Sequence, residues 1–174
     1  MRKFLLSLLG IAGGLSLAAA QSIHFDRLGI NDGLSQNTVT TILQDDRGFM
    51  WFGTKDGLNR YDGKTFKTFK TFKHNPGQKP GLGNSLIKCL MEDGAHRLWV
   101  GTDSGLYIYD PETERFTDLP LYDPEGKLIT KPIAGLERDP KGCIWITVEA
   151  NGVFRHDPRT GQTENCYRER RALR

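Results

Sequence analysis

The stretch Asp45–Asp62, DDRGFMWFGTKDGLNRYD, decides the fold. It contains two short apolar runs, FMWFGT and GLNRY, and the turn residues Lys55-Asp56 separate them. A glycine-containing turn precedes the first run, and Asp62-Gly63 follows the second. Short apolar runs separated by such turns are typical of consecutive antiparallel strands. The stretch therefore predicts a series of β-hairpins.

The same pattern returns twice, at 97–110 and in a degraded form at 142–157. The tryptophans of the three copies, Trp51, Trp99 and Trp145, are 48 and 46 residues apart. A period in the forties with several strands per unit indicates a radial β repeat, most often a propeller blade. One tryptophan in the same strand of every blade is expected to pack between blades, rather than to bind a ligand.

We therefore expect an all-β fold: a β-propeller fragment of about three four-stranded antiparallel blades plus an N-terminal closing strand. The expected strands are 38–45, 49–54, 58–62 and 65–70, then 86–92, 97–102, 106–110 and 115–119, then 132–138, 143–148, 153–157 and 162–167. The blades would occupy 33–70, 82–119 and 132–167 of a propeller region at 21–167, before an unstructured charged tail at 168–174. Because closed propellers have about 4–8 blades, we expect the isolated chain to be poorly soluble, self-associated or partly folded.

The N-terminus predicts export. Residues 1–20 combine a basic start, an apolar run and the cleavage site Ala18-Ala19-Ala20, which is the pattern of a secretory signal peptide. The apolar run is too short for the alternative, a membrane anchor. After it, 22–28 resembles the outer strand at 115–119 in the places of an aromatic residue and a leucine, so it is expected to close the ring.

The inner strands share three columns of residues. Two columns are apolar and one is small: Val39, Ile87 and Ile133; Ile42, Leu90 and Leu136; and Thr41, Cys89 and Gly135. Because the apolar columns are three residues apart, the period of two in a strand places them on opposite faces. The small column fits a crowded propeller axis.

The net charge and the cysteine count limit the partners and the bonds that are expected. Without Arg2 and Lys3 of the leader the formal charge falls from +3 to +1, too balanced for a nucleic-acid partner. The three cysteines are expected to be small core residues, although a Cys143–Cys166 bridge stays open.

The chain has no Gly-x-Ser-x-Gly, His-Glu-x-x-His or phosphate-loop motif, so no catalytic residues and no cofactor are expected. The four histidines lack ligand spacing and are expected at the surface. Aspartates beside glycine, such as Asp45, Asp56 and Asp110, are expected to form turns, and no metal site is predicted.

The core pattern Trp-x-Gly-Thr-x-x-Gly-Leu-x-x-Tyr-Asp resembles the two-component regulator propeller repeat, and 32–37 resembles the lead-in to a first blade. The third copy departs from it: Ile146 stands for the motif glycine, Val153 for the leucine and His156 for the tyrosine. The resemblance implies the periplasmic sensor region of a hybrid two-component histidine kinase, a family in which many members respond to polysaccharide fragments. It also implies further blades, an inner-membrane anchor and a cytoplasmic kinase in a longer parent, and it allows a homodimer of that parent.

The expected function is therefore sensing of an oligosaccharide or another small molecule. Two alternatives stay open: a secreted propeller enzyme acting on glycans, such as a lyase or glycosidase, and a protein-interaction propeller. A binding surface is expected on loops at one end of the ring. The candidates are the turns that follow the tryptophan strands: Lys55, Asp56, Asp103, Ser104, Glu149 and Asn151.

Overall fold

The computed structural model describes residues 25, 27–63, 70–77 and 81–166. These residues form three four-stranded antiparallel sheets, in which each strand pairs with the next one along the chain. The first sheet has β1 (Val39–Gln44), β2 (Met50–Thr54), β3 (Gly57–Tyr61) and β4 (Lys70–Phe72); the second has β5 (Ile87–Glu92), β6 (Leu98–Thr102), β7 (Gly105–Asp110) and β8 (Arg115–Leu119); the third has β9 (Ile133–Arg138), β10 (Ile144–Val148), β11 (Gly152–Asp157) and β12 (Gln162–Asn165). The predicted all-β fold of three four-stranded antiparallel blades is confirmed.

One hairpin turn is built in the same way in all three sheets. In the first, Asp45 Oδ1 accepts hydrogen bonds from the backbone N–H groups of Arg47 and Phe49, at 3.1 and 2.8 Å. The other carboxylate oxygen accepts the indole N–H of the tryptophan, at 2.7, 2.9 and 3.2 Å in the pairs Asp45–Trp51, Asp93–Trp99 and Asp139–Trp145. The aspartate therefore closes the turn and orients the tryptophan, which confirms the turn role expected for Asp45.

The hairpin turns lie at two opposite ends of the sheets. The end with Asp45, Asp93 and Asp139 is called the Asp end. The opposite end holds the turns at 55–56, 103–104 and 149–151 with the linkers between sheets, and is called the loop end.

The sheets pack face to face through these tryptophans. Trp51 is 1% exposed and contacts Tyr109 of the second sheet edge to face, with ring centroids 5.4 Å apart. Trp99 is 0% exposed and contacts His156 of the third sheet in the same manner, also at 5.4 Å. Trp145 is only partly buried, because no described sheet covers its face. The expected burial is thus complete for two of the three tryptophans.

His156 corrects the expectation that all histidines lie at the surface. It is 5% exposed and takes the place that Tyr109 has in the second sheet, against the tryptophan of the preceding sheet. Burial, together with the nearby Arg97 charge, lowers the pKa of the His156 imidazole. The aromatic partner of the tryptophan is therefore kept although the residue type changes.

The two apolar columns of the inner strands lie on one face, so the prediction of opposite faces is wrong. Val39 pairs with Thr54 and Thr41 pairs with Gly53, which leaves Thr40 as an extra residue, and the other inner strands shift register at the same place. Such a β-bulge shifts the alternation of side chains by one residue. Ile87 and Leu90 consequently both pack in the core between the first two sheets.

The motif glycine has a packing role that identifies its counterpart in the third sheet. A Cβ on Gly101 would lie 2.4 Å from the Cys89 sulfur and 2.9 Å from the Ile133 side chain. Gly101 pairs with Cys89, and Thr147 pairs with Gly135 at the equivalent place. Thr147, and not Ile146, therefore stands for the motif glycine, and the small and large members of the pair are exchanged.

One strand differs from its predicted boundaries, and three predicted segments lie wholly or mostly outside the described residues. The outer strand β4 ends at Phe72, two residues later than predicted, within the triplet repeat of Thr-Phe-Lys. The leader at 1–20, the tail at 168–174 and most of the proposed closing strand lie outside the described residues. Of that strand, Phe25, Arg27 and Leu28 are described and lie in no strand, and Phe25 is 85% exposed. Within the described part of the chain, no helix could span a membrane.

The cysteines are all free thiols. Cys143 is buried as expected, whereas Cys166 is exposed, which corrects the expectation for that residue. Cys143 precedes β10, whereas Cys166 follows β12, and β11 lies between these strands. Two strand spacings amount to about 9.6 Å, more than the ~7 Å that a disulfide permits between Cα atoms.

Candidate ligand-binding surface

The six predicted binding residues all lie in the turns of the loop end. Two of these turns are closed by glycines with left-handed backbones, Gly57 at φ 122° and Gly105 at φ 129°. The third turn is one residue longer and includes Ala150 at φ 60°, a backbone conformation that is uncommon for residues other than glycine. The turns therefore share a position in the fold while differing in length and chemistry.

Each turn is tied by its backbone to the linker that enters its own sheet. The N–H groups of Lys55, Asp103 and Glu149 donate to the carbonyls at positions 38, 86 and 132, at 3.2, 3.0 and 3.0 Å. These bonds hold the turns and the linkers together at one end of the sheets. The loop end is thus a single surface built from chain segments far apart in sequence.

The side chains of the turns have different partners. Asp56 forms an ion pair with Lys73 at 2.5 Å, and Glu149 forms one with Lys88 at 3.5 Å. Ser104 Oγ accepts a hydrogen bond from the Asn84 side chain at 2.9 Å. Salt bridges at such exposed positions contribute at most about 1 kcal/mol each, so these side chains can exchange partners at low cost.

A groove of about 350 Å³ opens at the loop end between the second and third sheets. Ser104 is the one predicted residue in its wall, which also includes Tyr107, Asp118, Tyr122 and Leu128. Burial, followed by the Asp118 charge, raises the pKa of the Tyr107 phenol, so the phenol remains a neutral hydrogen-bond donor at neutral pH. The groove thus combines hydroxyl groups, a carboxylate and apolar surface.

The linker at 120–131 forms one side of this groove. It folds back on itself, with Ile129 N–H donating to the Leu121 carbonyl at 2.8 Å, and both of these side chains are buried in the core. Tyr122 and Leu128 pair across the fold and stay 52% and 49% exposed. The linker therefore presents an aromatic and an aliphatic side chain to solvent from an anchored loop.

A neighbouring groove of about 420 Å³ lies on the other side of the same linker. Asn151 lines it together with Asp123 and Glu125 of the linker. Lys55, Asp56, Asp103 and Glu149 line neither groove. Ser104 and Asn151 therefore each line a groove that includes residues of the linker. The other four predicted residues lie outside both grooves.

For this linker the sequence predicts only a loop. The available signal was an aromatic residue, Tyr122, within a segment rich in proline and glycine, because such a segment is expected to be a surface loop and loops often carry binding residues.

A cluster of three polar side chains at the Asp end was not among the predicted sites. Asp46, Glu92 and His96 each offer one atom that could ligate a metal ion, and these three atoms lie within 4.8 Å of one another. His96 Nδ1 is 2.9 Å from an Asp46 oxygen and 3.7 Å from a Glu92 oxygen. Asp46 belongs to a turn of the first sheet and the other two to the second sheet, so no local spacing signals the cluster.

Comparison with known proteins agrees with this architecture. The model of the two-component regulator propeller family matches residues 33–56 and 81–104, each a lead-in, an inner strand and a tryptophan strand. These two segments are therefore similar to the two-component regulator propeller repeat. The third sheet repeats their fold with an altered motif.

Solved structures and one curated protein are similar to the chain. The extracellular domain of a protein assigned to a hybrid two-component system of B. thetaiotaomicron is 28% identical with a TM-score of 0.71, covering 80% of this chain and 19% of that one. A second extracellular domain from that organism, assigned to a one-component system, is 18% identical with a TM-score of 0.52, covering 83% and 27%, and shows the fold alone. Histidine kinase P4 of Formosa agariphila is 53% identical over 45 residues, which are 26% of this chain and 3% of that protein.

The chain therefore spans a small part of each of these proteins. The family match and the first structural likeness are both to proteins of two-component systems.

Proposed function

We propose that the chain is part of the periplasmic sensor region of a hybrid two-component histidine kinase, and that it helps to bind an oligosaccharide or a similar polar small molecule without catalysis. The observation that supports this most strongly is the likeness to an extracellular hybrid two-component domain, at 28% identity over 80% of this chain. In this proposal residues 1–20 are a cleaved export signal, and further blades, a membrane anchor and a kinase belong to the parent.

The groove beside the linker is the proposed contact with the ligand. Sugars combine polar edges with apolar faces, and binding sites match them with a few polar groups on an otherwise apolar or aromatic wall. Tyr107, Ser104 and Asp118 supply hydroxyl and carboxylate groups, while Tyr122 and Leu128 supply exposed apolar surface.

The remaining turn residues would extend the surface. Asn151 lies in the adjoining groove, and a ligand longer than one sugar unit could contact both sides of the linker. The other four predicted residues, Lys55, Asp56, Asp103 and Glu149, are proposed as outer contacts on the same end. The ion pairs of Asp56 with Lys73 and of Glu149 with Lys88 can be exchanged for a ligand.

Calorimetric titration of the parent's whole periplasmic region against a panel of glycan fragments tests this proposal. We expect saturable binding, weakened at least about tenfold, or ~1.4 kcal/mol, by Tyr122→Ala and by Asp118→Asn. Lys141→Ala is the matched control, because Lys141 is exposed in a turn of the opposite end and should leave the affinity unchanged.

The same samples should be analysed for glycan cleavage. Unchanged affinity in both groove variants would contradict the proposed site. Turnover of a glycan would contradict the assignment as a sensor and favour the enzymatic alternative.

A further inference from the structure

The cluster at the Asp end lies where the first two sheets meet. The backbone N–H of Asp46 donates to Glu92 Oε2 at 2.9 Å, so the carboxylate of the second sheet is already fixed against the turn of the first. The other oxygen of Glu92 faces His96 Nδ1 at 3.7 Å. Because Glu92 is only 13% exposed, its carboxylate is held in place, whereas Asp46 and His96 are open to solvent.

The three residues are specific to this junction. At the junction of the second and third sheets the equivalent positions are Gly94, Arg138 and Gly142, which offer no ligand atoms for a cation. The rest of each turn, with its aspartate and its tryptophan, is the same at both junctions. Fold alone therefore does not require an aspartate, a glutamate and a histidine here.

The geometry points to a site for a divalent transition-metal ion. We propose that Asp46, Glu92 and His96 bind Zn²⁺, or an ion of similar ligand preference, and that this ion joins the first sheet to the second. Zn²⁺ is bound by imidazole nitrogen and carboxylate oxygen at about 2.0–2.2 Å in tetrahedral sites, which places ligand atoms about 3.3 Å apart. The observed separations of 2.9 and 3.7 Å lie on either side of that value.

The surroundings favour a cation. A groove of about 280 Å³ next to the cluster contains the carboxylates of Asp46, Asp110 and Glu112, against a single guanidinium, that of Arg47. The open side of the cluster leaves room for water as a fourth ligand.

Two substitutions each remove one proposed ligand and introduce the residue that another repeat has at the equivalent position. His96→Gly introduces the residue found at the equivalent positions 48 and 142, where the backbone is also left-handed, so the turn is retained. Glu92→Gln introduces the residue at position 44 of the first sheet and keeps an oxygen for the Asp46 N–H. His74→Gln, at an exposed histidine outside the cluster, is the matched control.

The test is titration of the untagged full chain with ZnCl₂ by calorimetry, accompanied by thermal unfolding with and without the ion. We expect one Zn²⁺ per chain and a higher melting temperature with the ion, since a ligand that binds only the folded state stabilises it. Affinity should fall at least tenfold in His96→Gly and in Glu92→Gln, and stay unchanged in His74→Gln. The absence of saturable binding, or binding that both cluster variants leave intact, would overturn the proposal.

Discussion

Trp99 and Trp145 allow a direct comparison of the same residue with and without a following sheet. Both donate their indole N–H to an aspartate of their own turn, at 2.9 and 3.2 Å. Trp99 is fully buried against the third sheet, whereas Trp145 is partly exposed. Replacing each by alanine therefore removes similar local contacts but very different amounts of packing between sheets.

The expected costs follow from this difference. Trp99→Ala leaves a cavity between two sheets and should lower the free energy of unfolding by about 3–5 kcal/mol. Asp93 keeps its hydrogen bonds to the Arg97 side chain and to two backbone N–H groups, so little is added by an unpaired carboxylate. Trp145→Ala should cost less, about 1–2 kcal/mol, since its side chain is already partly in water.

Urea denaturation followed by far-UV circular dichroism measures both changes without depending on tryptophan fluorescence. A matched variant, Trp99→Phe, should lie between wild type and Trp99→Ala, because it keeps a ring against His156 and loses the hydrogen bond to Asp93. Equal destabilisation by Trp99→Ala and Trp145→Ala would refute the argument that packing between sheets, and not the hairpin, makes the tryptophan important.

Two further outcomes are expected. The folded-state pKa of His156 lies below the ordinary value of about 6.5. The stability that its neutral form contributes is therefore present above that pH and is lost as the pH falls through the folded pKa. In thermal melts, the stability of His156→Phe should depend less on pH between about 7 and 5 than that of the wild type, and an unchanged pH dependence would count against this argument. Gly101→Ala should destabilise by about 1–3 kcal/mol in chemical denaturation, since its Cβ would overlap Ile133, whereas Thr147→Ala at the exposed equivalent place should change stability by less than about 0.5 kcal/mol.

The hairpins were predictable from the sequence because their determinants are local. The turn aspartate, the glycine and the tryptophan of the stretch 45–51 lie within seven residues, and the strand predicted at 49–54 is Met50–Thr54 in the structure. Each determinant acts through hydrogen bonds inside one turn, so its effect does not depend on the rest of the chain. The strands that follow the turn could be located for the same reason.

The bulge in the inner strands could not be predicted in this way. Apolar residues three apart, such as Ile87 and Leu90, fit either a regular strand with two apolar faces or a bulged strand with one. The choice depends on contacts with the neighbouring sheet. In the first sheet the extra residue of the bulge is Thr40, and its hydroxyl group donates a hydrogen bond to the Ile87 carbonyl of the second sheet at 2.7 Å. A contact between residues 47 positions apart is not visible in a local pattern.

The same limit applies to both candidate sites. Of the residues predicted from the turns, Ser104 and Asn151 line grooves, but the linker that forms those grooves gave only a loop signal. The cluster of Asp46, Glu92 and His96 spans two repeats, and its members become neighbours only when the sheets pack.

A repeat architecture explains why function is harder to locate than fold. Residues that recur in every unit, such as the tryptophans and the turn aspartates, are needed at every junction and so describe the architecture. Residues that break the repeat are free from that requirement and can serve one place in the molecule. His96 is such a residue, because it stands where two equivalent turns have glycine, and Thr147 is another, but Thr147 is explained by its exchange with Gly135. His96 has no comparable exchange, and its imidazole lies 2.9 Å from Asp46 of the neighbouring sheet, so this departure points to a role beyond the hairpin.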